Sequence, residues 1–110
     1  MADELPIEIT PVEVNDLLKT GAPLRLIDVR EPEEHAICHI EGATLIPMRT
    51  VPQHLQELDD DSRIIVFCHH GVRSLSVVDW LRRQGIASCQ SMTGGIDLWS
   101  RQIDPGVARY

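Results

Sequence analysis

The uninterrupted apolar run Ile64-Ile65-Val66-Phe67 constrains the fold of this chain more than any other segment. A strand with one face in water alternates apolar and polar residues, whereas a strand buried on both faces is apolar throughout. Residues 24–29 form a similar run in which the polar Asp28 lies near the carboxyl end, and shorter apolar segments lie at 44–46 and 88–92. We therefore predict the strands of a parallel sheet that is buried on both faces.

Segments between these apolar runs carry the signals of helices. Thr10 can cap a helix in which Pro11 is the first residue and Glu13 completes a capping box. Ser74 can cap the clearest helix, in which apolar residues recur at helical spacing. Helices are therefore expected at residues 11–20, 51–58, 74–84 and 96–99. This alternation indicates an α/β fold, and the acidic run 59–61 is expected to be a solvated turn rather than a metal site.

Length and charge exclude several classes of function. A chain of 110 residues has the size of one domain. Its formal net charge of −7 argues against a protein that binds nucleic acid through phosphate contacts. Lys19 is its single lysine, and no apolar run approaches the roughly 20 residues that span a bilayer, so no membrane partner is expected. The acidic amino-terminal residues do not resemble a secretory signal, which predicts a cytoplasmic location.

The three cysteines predict a reactive thiol rather than a disulfide framework, because an odd count in a reducing compartment leaves thiols free. Cys68 has the most informative surroundings, in the segment Cys68-His69-His70-Gly71-Val72-Arg73-Ser74 between a strand and a helix. A loop of this kind can turn its backbone N–H groups toward one point, and Gly71 allows the required curl. The positive end of the helix and Arg73 favour an anion there, which favours Cys68 as a thiolate nucleophile.

An inert Cys68 at the end of a buried strand is the structural alternative, since free cysteine is often buried. The combination of cysteine, glycine, arginine and serine in this context favours a functional loop. Such a loop suits either phosphate-ester hydrolysis or transfer of a sulfane sulfur. From Cys68 to Arg73 the loop has six residues, one fewer than in phosphatases of the Cys-x5-Arg type, and a shorter ring fits a smaller anion.

The sequence closely resembles the single-domain rhodaneses, the thiosulfate sulfurtransferase family. The matching motifs are Asp28-Val29-Arg30, His39-Ile40-Glu41-Gly42-Ala43, the loop from Cys68 to Ser74, and Gly94-Gly95-Ile96 with Trp99. The resemblance covers residues 5–104, which leaves 1–4 and 105–110 as terminal extensions. It implies an α/β domain with a central five-stranded, mainly parallel sheet and helices on both faces.

The resemblance implies that Cys68 carries a persulfide. Its thiolate would take a sulfur from thiosulfate or a similar donor and pass it to cyanide or a thiol, such as thioredoxin, glutathione or a sulfur-carrier protein. Backbone N–H groups of His69, His70, Gly71, Val72, Arg73 and Ser74 would stabilise the anionic sulfur. Arg73 is expected to orient the donor, or else to point outward. No cofactor is expected, and nothing in the sequence requires more than a monomer. The alternative function is a non-enzymatic module that keeps the fold. A phosphatase or arsenate reductase is disfavoured by the short loop.

Residues outside the loop are expected to have supporting roles. The Asp28 side chain is expected to accept hydrogen bonds from nearby backbone, Arg30 to pair with Glu33 or Glu34, and His39 to bond the backbone near Gly42. The side chains of His69 and His70 are expected to point outward, although either could shift its charge near neutral pH. The remaining expectations are structural roles for four residues: Cys38, Cys89, Trp80 and Trp99. The histidines around Cys38 resemble metal ligands but lack a completing pair, so no metal is expected.

Overall fold

Five parallel strands form one sheet in the order β1-β5-β4-β2-β3 in this computed structural model, which describes residues 5–58 and 62–110. The strands are β1 (Glu8–Ile9), β2 (Leu24–Asp28), β3 (Thr44–Leu45), β4 (Arg63–Phe67) and β5 (Cys89–Met92). Every strand pair among the described residues is parallel. The predicted α/β class and parallel sheet are therefore confirmed.

Helices follow the strands as the alternating pattern predicts. They are α1 (Pro11–Lys19), α2 (Pro32–Ile37), α3 (Leu55–Leu58), α4 (Val72–Arg83) and α5 (Gly95–Gln102), and a 3-10 helix at Met48–His54 precedes α3. Thr10 and Glu13 form the expected capping box, in which each side chain accepts from the other residue's backbone N–H. No helix in the described part of the chain is both long and apolar enough to cross a membrane.

The central strand β4 separates two apolar cores. Ile64 and Val66 lie in one core with the buried side chains of α4, while Ile65 and Phe67 lie in the other with those of α1 and α5. Successive residues of a strand point to opposite faces, so an unbroken apolar strand needs helices on both sides. The predicted cover on both faces of the sheet is present.

Four details differ from the sequence expectation. The two-residue β1 and the short α2 were not predicted, because neither has enough apolar residues to show a period. Residues 51–58 begin in the 3-10 helix rather than in an α-helix, with Pro52 inside it. Ser74 does not cap α4: the helix begins two residues earlier, with Gly71 as its N-cap.

The acidic run 59–61 lies outside the described residues.

The segment set outside the expected domain, 105–110, packs against it. Val107 is a member of the core that contains α1 and α5. Its carbonyl accepts a 2.6 Å hydrogen bond from the buried hydroxyl of Ser100 in α5. This anchor brings the following residues, including Tyr110, back toward the end of the sheet that carries the loop.

Candidate functional site

Residues 68–71 connect β4 to α4 at the carboxyl end of the sheet. Gly71 has φ +105°, a left-handed conformation that a side chain would strain. A Cβ atom there would also lie 3.2 Å from the backbone nitrogen of Gly94. The loop therefore needs glycine for its turn and for its close approach to the loop that precedes α5.

Two of the six backbone N–H groups expected around the Cys68 sulfur donate to it in the described part of the chain. The N–H of Gly71 donates to Sγ at 3.1 Å and that of Ser74 at 3.4 Å. Gly71 is the N-cap of α4 and Ser74 lies in its first turn, where N–H groups have no partner inside the helix. The Cys68 side chain is 1 % exposed, so these donors act on a sulfur that water hardly reaches. Two N–H donors directed at one point form a site that suits an anionic atom.

The amino end of α5 holds the loop from its other side. The N–H groups of Ile96 and Asp97 donate to the carbonyls of Cys68 and His69, at 2.9 and 3.1 Å. Gly95 has φ +58°, and a Cβ there would lie 2.4 Å from the Cys68 carbonyl oxygen. With the first two loop carbonyls fixed to α5, the loop keeps the orientation in which its later N–H groups face the sulfur.

A pair of buried hydroxyls lies beside the sulfur. Ser74 Oγ is 3.5 Å from Cys68 Sγ, 3.2 Å from the Gly71 carbonyl and 2.7 Å from the hydroxyl of Ser91 on β5. Sequence reasoning missed Ser91, because a single serine in a strand carries no signal of what it faces.

Arg73 points to a carboxylate rather than freely into the loop. Its Nη1 and Nη2 donate to the two carboxylate oxygens of Glu34 on α2, at 2.6 and 2.9 Å. The hydrogen bonds from Arg73 lower the pKa of Glu34 to about 2. In turn, the hydrogen bonds to Glu34 raise the pKa of Arg73, and the charge of Cys68 raises it further. Arg73 is thus within electrostatic reach of the sulfur while it is bound to Glu34.

Asp28 and Arg30 form a fully buried ion pair at the end of β2. Arg30 donates to both carboxylate oxygens, and the shortest distance, from Nη2 to Oδ2, is 2.7 Å. Asp28 also accepts the Arg30 backbone N–H, as the expected structural role requires. The expected ion pair of Arg30 with Glu33 or Glu34 is wrong: Arg30 binds the Glu34 backbone carbonyl instead.

The hydroxyl of Tyr110 joins the two arginine pairs. It accepts from Arg30 Nη1 at 3.0 Å and donates to Glu34 Oε2 at 2.8 Å. Burial raises the pKa of Tyr110 to about 12, so its phenol stays protonated and able to donate. The charged network beside the loop therefore contains Asp28, Arg30, Glu34, Arg73 and Tyr110.

The two loop histidines differ in environment. The ring of His69 stacks on that of Tyr110, with centroids 3.9 Å apart and planes 6° apart. Its Nε2 is buried and has no hydrogen-bond partner among the described residues. Burial lowers the pKa of His69, and the neighbouring His70 lowers it further. His70 is exposed, as expected, with Nδ1 3.9 Å from Asp97, whereas the outward position expected for His69 is wrong.

The other residues singled out in the sequence lie apart from the sulfur-binding groups. His39 does not bond the backbone near Gly42 within the described part of the chain. Its half-exposed side chain stacks on His35 instead and lies 3.9 Å from Glu41. Cys38 and Cys89 are buried free thiols, and burial raises the pKa of Cys89. Among residues 5–58 and 62–110, no three His, Cys, Asp or Glu side chains form a group that could hold a metal ion.

Val72 and the two tryptophans also lie away from the sulfur. Val72 begins α4 with its side chain 76 % exposed, so its side chain does not line the sulfur site. Trp99 is buried in the core that contains α5, and Trp80 packs against the other core. Both tryptophans are therefore packing residues, with Trp99 buried and Trp80 partly buried, in agreement with their expected structural role.

Comparison with known proteins shows which proteins the whole chain resembles. The chain is 38 % identical over 104 residues to the probable adenylyltransferase/sulfurtransferase MoeZ of Mycobacterium tuberculosis, covering 93 % of this chain and 26 % of that protein. The chain thus spans about a quarter of that relative. It is 38 % identical to the thiosulfate sulfurtransferase GlpE of Haemophilus influenzae, covering 94 % and 96 % of the two chains.

A solved structure shows the same fold. The human single-domain sulfurtransferase TSTD1 superposes with a TM-score of 0.79 at 26 % identity, covering 89 % of this chain and 98 % of that one. The profile of the rhodanese-like domain matches residues 10–102, a range that includes the whole loop and α5. These matches settle the resemblance seen in the sequence: the chain belongs to the rhodanese-like domain family, which includes sulfurtransferases.

Proposed function

We propose that this protein is a sulfurtransferase that carries a sulfane sulfur as a persulfide on Cys68. The observation that carries the proposal is the pair of backbone N–H groups, from Gly71 and Ser74, that donate to the Cys68 sulfur. Hydrogen bonds to an ionised group stabilise its charged form. The relatives that cover the same length are named thiosulfate sulfurtransferases, which supports thiosulfate as a donor.

The reaction has two displacement steps. The Cys68 thiolate attacks the outer sulfur of thiosulfate, the bond between the two donor sulfurs breaks, and sulfite leaves with its electron pair. The product Cys68-S-S⁻ bears the negative charge on its terminal sulfur. An acceptor thiolate or cyanide then attacks that sulfur, the persulfide bond breaks, and the Cys68 thiolate returns. Loop N–H groups stabilise the anion at each stage, and loss of one such donor typically costs about 10²–10³ in rate.

Arg73 is the proposed contact for the sulfonate end of the donor. Its two terminal nitrogens each use one N–H on Glu34. A guanidinium has five N–H donors, so others remain for a sulfonate oxygen. This role needs no break in the ion pair, and Glu34 keeps the guanidinium in place beside the loop.

Acceptors and location are part of the same proposal. We propose a small thiol such as glutathione, or a protein thiol such as thioredoxin or a sulfur-carrier protein, as the acceptor. The described cysteines are free, and reducing compartments keep thiols unpaired, which supports the cytoplasm as the location. The site needs no second copy of the chain, so the protein is proposed to act as a monomer.

Intact-mass measurement after incubation with thiosulfate tests the proposal. We expect a gain of one sulfur atom, which added cyanide removes as thiocyanate. The Cys68→Ser variant should show neither, while Cys38→Ser, which alters a buried thiol outside the loop, should behave as the wild type. Folded, reduced protein that gains no sulfur would contradict the proposal and leave a non-enzymatic module. Hydrolysis of aryl phosphates that depends on Cys68 would instead indicate a phosphatase.

A further inference from the structure

Ser91 is buried beneath the loop, and its side chain reaches the loop through one hydrogen bond. It lies on β5, is fully buried, and its Oγ is 2.7 Å from Ser74 Oγ. No other partner of its hydroxyl is present among residues 5–58 and 62–110. Cys89, two residues away on the same face of β5, lies in the core that contains the side chains of α4, and a buried hydroxyl is unfavourable unless it is hydrogen-bonded. The hydroxyl of Ser91 is therefore stabilised by one contact, which is with Ser74.

Because Ser74 has a single hydroxyl proton, the direction of its hydrogen bond with Cys68 depends on the charge of the sulfur. Ser74 Oγ has one hydrogen and can accept two hydrogen bonds. While Cys68 is a neutral thiol, its S–H can donate to Ser74 Oγ, and the Ser74 hydrogen can bond the carbonyl of Gly71. A thiolate has no proton, so the same 3.5 Å contact is favourable only when Ser74 donates to the sulfur.

Ser91 completes the arrangement that suits the anionic sulfur. When Ser74 donates to Cys68, its oxygen is left as an acceptor, and Ser91 is the hydroxyl placed to donate to it. A hydroxyl that accepts a hydrogen bond becomes a stronger donor, because hydrogen bonds in a chain polarise one another. Ser91 therefore strengthens the hydrogen bond from Ser74 to negatively charged sulfur.

We propose that Ser91 is a positioning residue for Cys68, acting through Ser74 to favour the anionic sulfur. The proposal deepens the proposed function, and rests on it, by adding a residue outside the loop to the groups that hold the charge. Ser91 touches neither the sulfur nor a substrate in this arrangement. Its effect passes through one hydroxyl, which makes the effect separable by a double substitution.

Substitution of Ser91 removes no hydrogen bond from the other charged and titratable groups near the loop. They come from α2, α4, α5, the end of β2, the loop itself, β5 and the carboxyl-terminal segment: Glu34, Arg73, Asp97, Asp28, Arg30, His69, His70, Cys89 and Tyr110. None of them bonds Ser91 in the described part of the chain. A change in the pH dependence of Cys68 after substitution of Ser91 therefore reports on the two hydroxyls.

Alkylation of Cys68 by iodoacetamide, followed across pH by mass spectrometry of its peptide, tests the proposal. The reagent reacts with the thiolate, so the midpoint of the rate profile reports how easily the sulfur loses its proton. Ser91→Ala should move the midpoint upward, lowering the rate about threefold to tenfold below the midpoint. The plateau at high pH, where the sulfur is anionic in both proteins, should not change. A merely structural disturbance would alter the plateau as well.

Two comparisons decide whether the effect passes through Ser74. Ser100→Ala removes another buried hydroxyl, one that bonds Val107 rather than the loop, and should leave the profile unchanged. In a Ser74→Ala background, Ser91→Ala should produce no further shift. An unchanged midpoint in Ser91→Ala, an equal shift in Ser100→Ala, or an equal further shift in the Ser74→Ala background would each overturn the proposal.

A second variant and a separate assay keep the outcomes distinct. If Ser91→Ala does not fold, Ser91→Cys, with a weaker donor of similar size, should also shift the midpoint upward, and a profile identical to the wild type would overturn the proposal. Sulfur loading of the wild type from thiosulfate is measured in parallel. Normal loading without a Ser91 effect would disprove this inference alone, whereas absent loading would disprove the proposed function.

Discussion

Two polar regions meet at the carboxyl end of the sheet, and they differ in charge: one consists of neutral groups and the other mainly of ionised side chains. Around the Cys68 sulfur the partners are neutral: the N–H groups of Gly71 and Ser74 and the hydroxyl of Ser74. Beside it, the charged network consists of ionised side chains, apart from the Tyr110 phenol, and its members bind one another. Each arginine there has a carboxylate partner of its own.

The difference explains how an acidic chain can hold an anion. With a net charge of −7, the protein as a whole repels negatively charged donors. Neutral N–H groups fixed by the backbone act at short range and need no counter-ion, so they are little affected by the distant charges. The carboxylates beside the loop are neutralised by arginines: Asp28 by Arg30, Glu34 by Arg73, and Asp97 by Arg101 and Arg109. We infer that the neutral region stabilises the anionic sulfur, whereas the charged network fixes the frame around it and holds Arg73 in place for its proposed contact with the donor.

Breaking the buried ion pair tests the structural side of this comparison and should have the largest effect. Arg30→Met leaves the Asp28 carboxylate buried without its partner, a change that typically costs about 3–5 kcal/mol. We therefore expect a loss of that order in the free energy of unfolding, measured by urea denaturation. Arg30 also binds the backbone of Cys38 and the hydroxyl of Tyr110, so α2 and the segment near Tyr110 should loosen together.

Arg83→Met is the matched control, because Arg83 pairs with Asp79 at 3.1 Å on the exposed side of α4. An exposed pair contributes at most about 1 kcal/mol, so this variant should unfold close to the wild-type urea concentration. Equal losses in the two variants would mean that the charged network stabilises the frame no more than a surface pair does.

Displacing the loop N–H groups without changing any charge tests the role of the neutral region around Cys68. Gly95→Ala would place a Cβ 2.4 Å from the Cys68 carbonyl oxygen, at a φ of +58°. The loop must shift to relieve this clash, and a displacement of about 1 Å at a reacting group costs on the order of 10²-fold in rate. We expect the rate of sulfur loading to fall by that factor, with a loss of stability of roughly 1–3 kcal/mol.

Gly21→Ala separates the clash from the strain of a positive φ. Gly21 has φ +75°, and a Cβ there meets nothing within 4 Å. Its variant should lose roughly 1–2 kcal/mol of stability and keep the wild-type rate of sulfur loading. If Gly95→Ala loads sulfur as fast as Gly21→Ala does, the exact orientation of the loop N–H groups does not matter.

The two regions also differ in how far the sequence predicts them. The loop from Cys68 to Ser74 is contiguous, so a strand, a glycine and a helix start in order were enough to predict a curl of N–H groups. Two links of the charged network join residues that are distant in sequence: Tyr110 binds Arg30 across 80 positions, and Arg73 binds Glu34 across 39. One sequence without its fold gives no information on such pairs. The expected ion pair of Arg30 failed for another reason, because the Arg30 guanidinium folds back onto Asp28, two residues earlier.

Elements of the fold divide in the same way. The strands β2 and β4 are visible in the sequence as nearly continuous apolar runs, and α4 is visible by its helical spacing of apolar residues. All three were predicted, although the start of α4 was placed two residues late. The two-residue β1 is a strand because it pairs with β5, at Glu8 with Ser91 and Ile9 with Met92. A segment so short has no period of its own, so its structure depends on tertiary pairing.

Removing the charge from Glu34 tests the link between the two regions and should have the smallest effect. The hydrogen bonds from Arg73 lower the pKa of Glu34 from 4.5 to about 2 in the folded protein. A carboxyl group with a lowered pKa stabilises the fold above its unfolded value, and that contribution is lost as pH falls through the folded value. Because both side chains are partly exposed, Glu34→Gln should cost only about 1–2 kcal/mol at pH 7.

The pH dependence distinguishes this charge effect from a loss of packing. The difference in unfolding free energy between the wild type and Glu34→Gln should shrink between pH 4.5 and about 2, where Glu34 becomes neutral. Glu33→Gln, at the adjacent exposed position, should change stability by no more than about 0.5 kcal/mol at pH 7. A difference that stays constant down to pH 2 would show that the ion pair does not stabilise the fold. Sulfur loading that rises in Glu34→Gln would show that the carboxylate restrains Arg73 from binding the donor, which would join the charged network directly to the chemistry.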